Sequence, residues 1–341
     1  MKLIGADQIS ISELEKFVSS FEQISLFQHP SFRKVIDKTR DYKWHWVGIE
    51  HNGDLVGSLA SYDIVDKAIA NLVSARRRTI MGGPLISSMD ERARNECAAM
   101  LLDAIRAIGK KPYFIEFRNL FDMSTHDVTF KSKGYQFEKQ LNFLIDVTKH
   151  EEEIMKQMSS SGRRMVKKSL KEGLIADEAK NIAEVDCFFD ILAAAYSEKS
   201  LPLADRSLFQ ACFTELGSNQ CKYIIAKNEE GKVVAGRLEL ITGMTMYDWY
   251  ATSDPAYLDR RPNELLVWNA LRIAKKMNLR IFDFGGAGRP NEEYGVREFK
   301  EKFGGLLVEF GRYLLTTKPI RTAIAKKGMN IILRARKVDP S

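Results

Sequence analysis

The sequence has few of the residues that build metal sites, disulfide frameworks or membrane spans. Its four cysteines (Cys97, Cys187, Cys212 and Cys221) show no CxxC spacing, and its five histidines are scattered. Neither zinc ligation nor a set of disulfides is therefore expected. No apolar run reaches the roughly 20 residues of a bilayer-spanning helix. The first residues, MKLIGADQIS, lack the apolar segment of a secretory signal. These absences predict a cytoplasmic protein that binds no metal.

The composition indicates a globular protein with an anionic partner. Hydrophobic residues make up 45% and charged residues 28% of the 341 residues, proportions that are typical of soluble globular proteins. This length accommodates two domains of about 150 residues each. The formal net charge is +7. Such a charge favours RNA, nucleotide phosphates or a membrane surface as partner, without choosing among them.

The predicted elements occur in the same order twice. The first half begins with a helix capped by Ser12 and Glu15, continues through a hairpin at Asn52-Gly53 and reaches a helix that ends near Gly109. The second half again gives two helices, a meander of three strands, a helix and a strand. This internal repeat predicts an α/β (α+β) protein with units 1–148 and 149–317. The strand 142–147 is expected to close the first unit.

The stretch 281–305, IFDFGGAGRPNEEYGVREFKEKFGG, is the first candidate site. An apolar strand stops at Gly285-Gly286, a loop of turn-forming residues follows, and a short helix carries Phe299 and Lys300. Paired glycines allow a ligand to approach the main chain, and loops after strands are common places for sites. The alternative interpretation is a pair of glycine turns around a surface loop.

A basic segment, SGRRMVKKSLKEGL at 161–174, is the second candidate. Its charges have one sign until Glu172. The segment is either a solvated helical face or a strip that binds an anion, and the two interpretations stand equally. The residues concerned are Arg163, Arg164, Lys167, Lys168 and Lys171.

DFGG followed by a loop and FK-x-x-FGG, together with this basic segment, resembles the Fem family. Those aminoacyltransferases build the interpeptide bridge of bacterial peptidoglycan and belong to the GCN5-related N-acetyltransferase (GNAT) superfamily. The resemblance implies tandem GNAT domains with mixed sheets flanked by helices, with 318–341 packing back on the first domain. It also implies an N-acyltransferase without a cofactor. The donor would be aminoacyl-tRNA, and the acceptor an amine of a nucleotide- or lipid-linked peptidoglycan precursor or related glycoconjugate.

The resemblance also implies roles for individual residues. The lysine of the FK motif is thought to stabilise the oxyanion of acyl transfer. Lys300 matches this lysine, whereas Lys302 in the same helix is the alternative candidate. Phe299 and the Gly285-Gly286 turn would shape the pocket floor.

Three further residues match positions at which family members contact acceptor phosphates. Arg206 and Tyr250 match by order and by separation from the FK motif, and Lys34 matches in the N-terminal part. The aromatic residue expected after the arginine is not clearly matched, because Leu208 and Phe209 lie there. The identity of the acceptor therefore stays open.

The donor has two candidates. GNAT enzymes that use acetyl-CoA bind its pyrophosphate with a glycine-containing loop before their central helix. The corresponding loop at 260–264, RRPNE, contains no glycine, which favours tRNA as the donor. One alternative is an acyl-CoA-dependent N-acyltransferase that modifies an amino sugar or similar amine in polysaccharide biosynthesis. Another is a non-catalytic RNA- or membrane-binding protein.

The chain from Lys318 is basic and amphipathic, and it could contact an anionic membrane surface, which would place the protein peripherally at the inner face of the membrane. The transferred amino acid, the acceptor and the oligomeric state are not specified by the sequence.

Overall fold

The computed structural model describes residues 1–66 and 75–317. The elements before residue 139 are β1 (Lys2–Gly5), α1 (Ile11–Ser19), α2 (Ser31–Lys38), β2 (Tyr42–His51), β3 (Asp54–Asp66), β4 (Ala75–Met81), β5 (Leu85–Ile86), α3 (Glu91–Ala107), β6 (Phe114–Arg118), α4 (Asp127–Ser132) and β7 (Gln136–Glu138). Short 3-10 helices lie at Leu26–Gln28 and Ser124–His126.

The remaining elements are β8 (Leu141–Asp146), α5 (Glu151–Gln157), α6 (Ser160–Ser169), β9 (Ile175–Glu178), α7 (Ile182–Glu198), α8 (Arg206–Glu215), β10 (Cys221–Lys227), β11 (Val233–Thr242), β12 (Thr245–Ser253), α9 (Pro262–Lys276), β13 (Ile281–Gly286), α10 (Gly295–Glu301), β14 (Leu306–Glu309) and β15 (Arg312–Thr316). A 3-10 helix at Pro255–Arg260 precedes α9.

These strands form two mixed sheets. In the described part of the chain, the first sheet has the order β1-β2-β3-β4-β6-β15-β7, with β5 paired to β3, and the second has the order β14-β8-β13-β12-β11-β10-β9. Each sheet contains one parallel pair with a helix in the crossover, β4 with β6 and β12 with β13. The α/β prediction with two similar units is therefore confirmed.

The chain divides into two compact units, and the division differs from the predicted boundary at 148. Unit 1 comprises Met1–Glu138 and the chain from Phe310, and unit 2 comprises Lys139–Glu309. The strand expected to close the first unit, β8, instead pairs with β13 and β14 in the second sheet. The chain then returns to the first sheet, where β15 lies between β6 and β7. The predicted packing of 318–341 lies outside the described residues.

The sequence signals for the first hairpin and for the start of α1 predicted their positions to within one helical turn. The hairpin at Asn52-Gly53 forms between β2 and β3, with both turn residues at positive φ. Helix α1 is capped by Ser10 and Glu13 rather than by Ser12 and Glu15, because the Ser10 hydroxyl accepts the Glu13 N–H. Both candidate pairs fit the same capping pattern, and sequence alone does not separate them.

A buried ion network connects α3 to the first sheet. Asp63 Oδ1 accepts a hydrogen bond from Arg78 Nε at 2.7 Å, and Asp63 Oδ2 lies 3.0 Å from His45 Nε2 and 3.2 Å from Arg76 Nη1. Arg78 also donates to the carbonyl of Ile105 near the end of α3. Burial opposes ionisation of Asp63, but the hydrogen bonds from His45 and Arg78 and the charge of Arg78 outweigh it and lower its pKa to about 2.

Candidate active site

The two parallel strand pairs differ in how far they stay paired. In unit 1, β4 and β6 pair from Arg77 with Phe114 to Met81 with Arg118, the whole length of β6. In unit 2, β12 and β13 pair over three positions and end at Tyr247 with Asp283, although both strands continue. We call the region beyond this last pair the strand gap. It lies at the DFGG sequence.

The DFGG turn is fixed by the aspartate that precedes the glycines. Asp283 Oδ1 accepts hydrogen bonds from the Gly285 N–H and from Asn142 Nδ2, both at 2.7 Å. Gly285 has φ +67°, and an added Cβ would lie 3.0 Å from the carbonyl oxygen of Asp248. Glycine is therefore required here both by conformation and by close approach.

Lys300 of α10 reaches this turn and is buried, with 8% of its surface exposed. Its ammonium group donates to the carbonyl oxygens of Phe284 and of Gly286, the latter at 2.9 Å. An ammonium has three N–H donors, so the two carbonyls leave one for another acceptor. The predicted site residues Lys300, Gly285 and Gly286 are thus brought together.

Two other side chains of α10 contact the loop before the helix and the core beneath it. Arg297 Nε donates to the carbonyl oxygen of Ala287 at 2.8 Å and Nη1 to that of Pro290 at 3.3 Å. Phe299 is half-buried and packs edge-to-face on Phe303 at 5.2 Å, so its contact is with the core beneath the helix.

Lys302, the alternative lysine of this helix, is its C-cap. Its carbonyl oxygen accepts the Ser159 N–H at 3.0 Å, which joins the end of α10 to the start of α6. Lys300, rather than Lys302, therefore lies at the strand gap.

Three charged residues that the sequence analysis missed lie on the strands beside Lys300. Arg237 Nε donates to Glu239 Oε1 at 2.8 Å, and Arg237 Nη2 lies 2.6 Å from Asp248 Oδ2. Glu239 Oε2 and Asp248 Oδ1 are buried and accept no hydrogen bond from the described residues. Buried, unsatisfied carboxylates of this kind cluster at functional sites.

Burial and mutual repulsion shift the pKa values of this cluster. Burial, and then the charge of Asp248, raise the pKa of Glu239 to about 8. Burial raises the pKa of Asp283 to about 6, although the Gly285 N–H, Asn142 and Lys300 oppose the rise. Burial lowers the pKa of Lys300, while Asp248, Asp283 and Glu239 counteract this effect. The ammonium therefore depends on neighbouring carboxylates for its charge.

The two predicted acceptor-binding residues of unit 2, Arg206 and Tyr250, lie at the ends of one row of side chains in contact. The Arg206 guanidinium covers the Phe189 ring at 4.4 Å, Phe189 contacts Phe209 at 5.1 Å, and Phe209 contacts Tyr250 at 4.9 Å. Phe209 is the residue that broke the family pattern after Arg206, and it connects the two. Lys34, the third predicted residue, is an exposed residue of α2 in unit 1.

Arg206 already has carboxylate partners. Its Nη1 lies 3.2 Å from Asp186 Oδ1, and its Nη2 lies 2.5 Å from Asp190 Oδ1. The hydrogen bond to Asp190 is the main reason why its pKa is raised. A phosphate contact by Arg206 would have to share the guanidinium with these two residues.

The basic segment forms helix α6, and its charges fall into two groups. Arg163 donates to the carbonyl of Met158 at 2.5 Å, and Lys168 donates to that of Asp259 at 2.9 Å, so both hold backbone. The other members of the segment, Arg164, Lys167 and Lys171, have exposed side chains. The exposed group is the part of the segment that suits an external anion.

The loop before α9 is a poor phosphate cradle. Arg260 Nε donates to the Glu172 carbonyl at 2.8 Å and its Nη1 to Glu229 at 3.0 Å. Arg261 has φ +58°, Pro262 lacks an N–H, and Glu264 places a buried carboxylate in the first turn. A negative charge and a missing donor at a helix N-terminus both disfavour a bound pyrophosphate.

No group of side chains suited to a metal ion occurs within 1–66 and 75–317. Over the same residues, every helix is too short or too polar to cross a bilayer.

Comparisons with known proteins agree with this arrangement. Residues 157–301 match the family model for an acetyltransferase (GNAT) domain, a range that includes the strand gap and Lys300. The fold is similar to the crystal structure of FemX, with a TM-score of 0.71, 14% identity, and coverage of 95% of this chain and 99% of that one. It is also similar to a tandem GNAT protein from the clavulanic acid biosynthesis pathway, with a TM-score of 0.55, 8% identity and coverage of 92% and 98%.

A sequence comparison with a curated relative agrees with the structural comparisons. The lipid II:glycine glycyltransferase of Staphylococcus haemolyticus (strain JCSC1435) is 29% identical over 90 residues. That match covers 25% of this chain and spans 22% of the relative's length.

The class that these findings indicate is that of GNAT proteins: residues 157–301 match a GNAT domain, and the fold resembles that of a tandem GNAT protein, as the sequence predicted. The similarity of the fold to FemX and the local match to the staphylococcal glycyltransferase agree with the resemblance to the Fem family that the DFGG and FK motifs carry.

Proposed function

We propose that this protein is an N-acyltransferase that transfers an aminoacyl group from aminoacyl-tRNA to an amine of a peptidoglycan precursor or related glycoconjugate. One observation carries the proposal: a buried lysine ammonium lies at the strand gap with two donors held by carbonyls and one donor left over. The name of the staphylococcal relative, lipid II:glycine glycyltransferase, favours a lipid-linked precursor as the acceptor.

The proposed reaction needs no nucleophile from the protein. The acceptor amine attacks the ester carbonyl of the donor, and its new C–N bond forms as the carbonyl oxygen becomes an oxyanion. The remaining N–H of Lys300 would stabilise this charge within a site of low dielectric constant. The C–O bond to the tRNA ribose then breaks, and the ribose oxygen leaves with the proton that the amine gives up.

The donor is the point on which the alternatives differ. The RRPNE loop supports tRNA over acyl-CoA, because its first turn carries a carboxylate and lacks a glycine. The purified chain, incubated with a lipid-linked or nucleotide-linked muropeptide, should consume aminoacyl-tRNA and leave acyl-CoA unchanged. Turnover with acyl-CoA alone would contradict the proposed donor. Binding of tRNA without turnover of either donor would support the non-catalytic alternative.

A double charge reversal of α6, Arg164→Glu with Lys167→Glu, should weaken use of aminoacyl-tRNA. Both side chains are exposed, and the substitution spares Arg163 and Lys168, which hold backbone carbonyls. If each contacts one phosphate, the slope of log affinity against log salt should fall by about 2. The measurement is the affinity for tRNA at salt concentrations from about 50 to about 200 mM, in steps of ~50 mM.

A matched control separates local from overall charge. Lys180→Glu with Lys199→Glu changes the net charge equally at the ends of α7, and both lysines are exposed. The control should retain the wild-type salt slope. Equal losses in the two double variants would mean that α6 is only a solvated face.

Arg206→Ala should mainly raise the acceptor KM, with a smaller change in kcat, because the proposed contact is to a non-reacting part of the acceptor. Tyr250→Phe tests the other end of the aromatic row and should change KM in the same direction. Steady-state kinetics with varied acceptor measures both. A loss confined to kcat, or an equal loss of stability in both variants, would contradict a role in acceptor binding.

A further inference from the structure

Two buried carboxylates, Asp283 on β13 and Asp248 on β12, lie on the two sides of the strand gap. We propose that both are positioning residues for Lys300: Asp283 fixes the turn whose carbonyls hold the ammonium group, and Asp248 supplies negative charge that keeps this group ionised. For the part that Lys300 plays in the chemistry, the inference rests on the proposed function. Neither carboxylate belongs to the FK motif by which Lys300 was found.

The role of Asp283 follows from hydrogen bonds. One of its oxygens accepts both the Gly285 N–H and the Asn142 amide, so β13, β8 and the turn meet at a single atom. This arrangement holds Gly285 in the left-handed region, where the carbonyls before and after it both face the Lys300 ammonium. Without Asp283, the turn would lose the hydrogen bond that directs both carbonyls towards the Lys300 ammonium.

The role of Asp248 follows from charge. One guanidinium, that of Arg237, serves two carboxylates, Glu239 and Asp248, on neighbouring strands. With Asp283 and Lys300 the cluster holds two cationic and three acidic groups in a buried place. If the carboxylates retain one proton, the charges balance, and Glu239 is the group whose pKa is raised to about 8.

Other charged residues lie on α10 itself. Arg297 faces the carbonyls of the loop, and Glu298 and Glu301 are exposed. Solvent screens such exposed charges far more than buried ones. Burial, and then the charge of Arg237, lower the pKa of Lys300, whereas the charges of Asp248, Asp283 and Glu239 raise it.

The experiment compares Asp283→Asn and Asp248→Asn with wild type in the full chain. Asparagine retains an oxygen acceptor, so the Gly285 turn can persist while the negative charge is removed. Asp177→Asn on β9, an exposed aspartate paired with Lys180, is the control. The first measurement is an NMR titration of the lysine side chains in protein labelled with isotopic lysine, with the Lys300 signal assigned from Lys300→Met. The second is turnover against pH.

The titration midpoint of Lys300 should move to lower pH in both variants and stay unchanged in the control. The alkaline limb of turnover should move with it. The ratio of turnover at pH 9 to that at pH 7 should then fall, by about tenfold for each unit of movement while the midpoint lies between about pH 7 and about pH 9. An unchanged midpoint in both variants would overturn the inference, and so would an equal loss of turnover at every pH in Asp248→Asn. A moved midpoint in a protein that turns over neither donor would uphold positioning while rejecting the proposed function.

Discussion

Lys300→Met should lower the rate of aminoacyl transfer about 10²–10³-fold, which is the usual effect of removing one preorganised oxyanion donor. The loss should lie in the chemical step, because in the proposed reaction the remaining N–H of Lys300 would bind the oxyanion rather than the acceptor's anionic part. Acceptor affinity should stay nearly unchanged. Single-turnover kinetics with prebound acceptor measures the step directly.

The control for this variant is Lys302→Met in the same helix. Lys302 contributes its backbone carbonyl to Ser159, which methionine retains. Lys302→Met should therefore keep a rate close to wild type. Thermal unfolding of both variants is needed as well, since methionine at 300 leaves the carbonyls of Phe284 and Gly286 without their donor. Near wild-type turnover for Lys300→Met would show that Lys300 only stabilises the turn through its two hydrogen bonds and takes no part in the chemistry.

Asp63→Asn should cost unit 1 about 3–5 kcal/mol of stability at neutral pH, the usual effect of removing one partner from a buried ion pair. Arg78 is completely buried, and the substitution leaves its guanidinium without a counter-charge. Asp37→Asn is the control, because its pair with Arg33 is exposed and should be worth less than about 1 kcal/mol. Urea unfolding of the three proteins gives the comparison.

The effect of Asp63 should also depend on pH in one direction. Its pKa lies near 2 in the folded state and at 3.8 when unperturbed, so the unfolded chain binds the proton more readily. The stabilisation is present above about pH 4 and is lost as the pH falls towards 2. The difference between wild type and Asp63→Asn should shrink over that range. A difference that stays constant between pH 5 and pH 2 would mean that Asp63 is not ionised in the folded protein.

The sequence located Lys300 because its partners are near it in the chain. The strand, the glycine turn and the short helix occupy 281–301, and local rules for turns and helices apply over such distances. The repeat of element order likewise predicted both sheets. The helix cap at Ser10 and the unit boundary at 138 were missed because each had an equally suitable alternative nearby.

The carboxylates around Lys300 could not be placed in the same way. Glu239 and Asp248 become neighbours through the register of β11 and β12, and Asn142 reaches Asp283 only because β8 joins the second sheet. One signal was present in the sequence: Arg237 and Glu239 alternate within a strand that is otherwise apolar, so both point to one face. A charged pair at such spacing in an apolar strand indicates a buried ion pair, which can be structural or functional.

The return of β15 to the first sheet determines the order in which the chain can complete its folding during synthesis. The first sheet needs β15, which lies between β6 and β7 and is part of the chain after Phe310. Every described strand of the second sheet, in contrast, lies within Lys139–Glu309. The second unit is therefore complete on the ribosome before the first. A released chain that ended at Glu309 would contain every described strand of the second sheet but would lack β15, so that β6 and β7 would lose the partner they share.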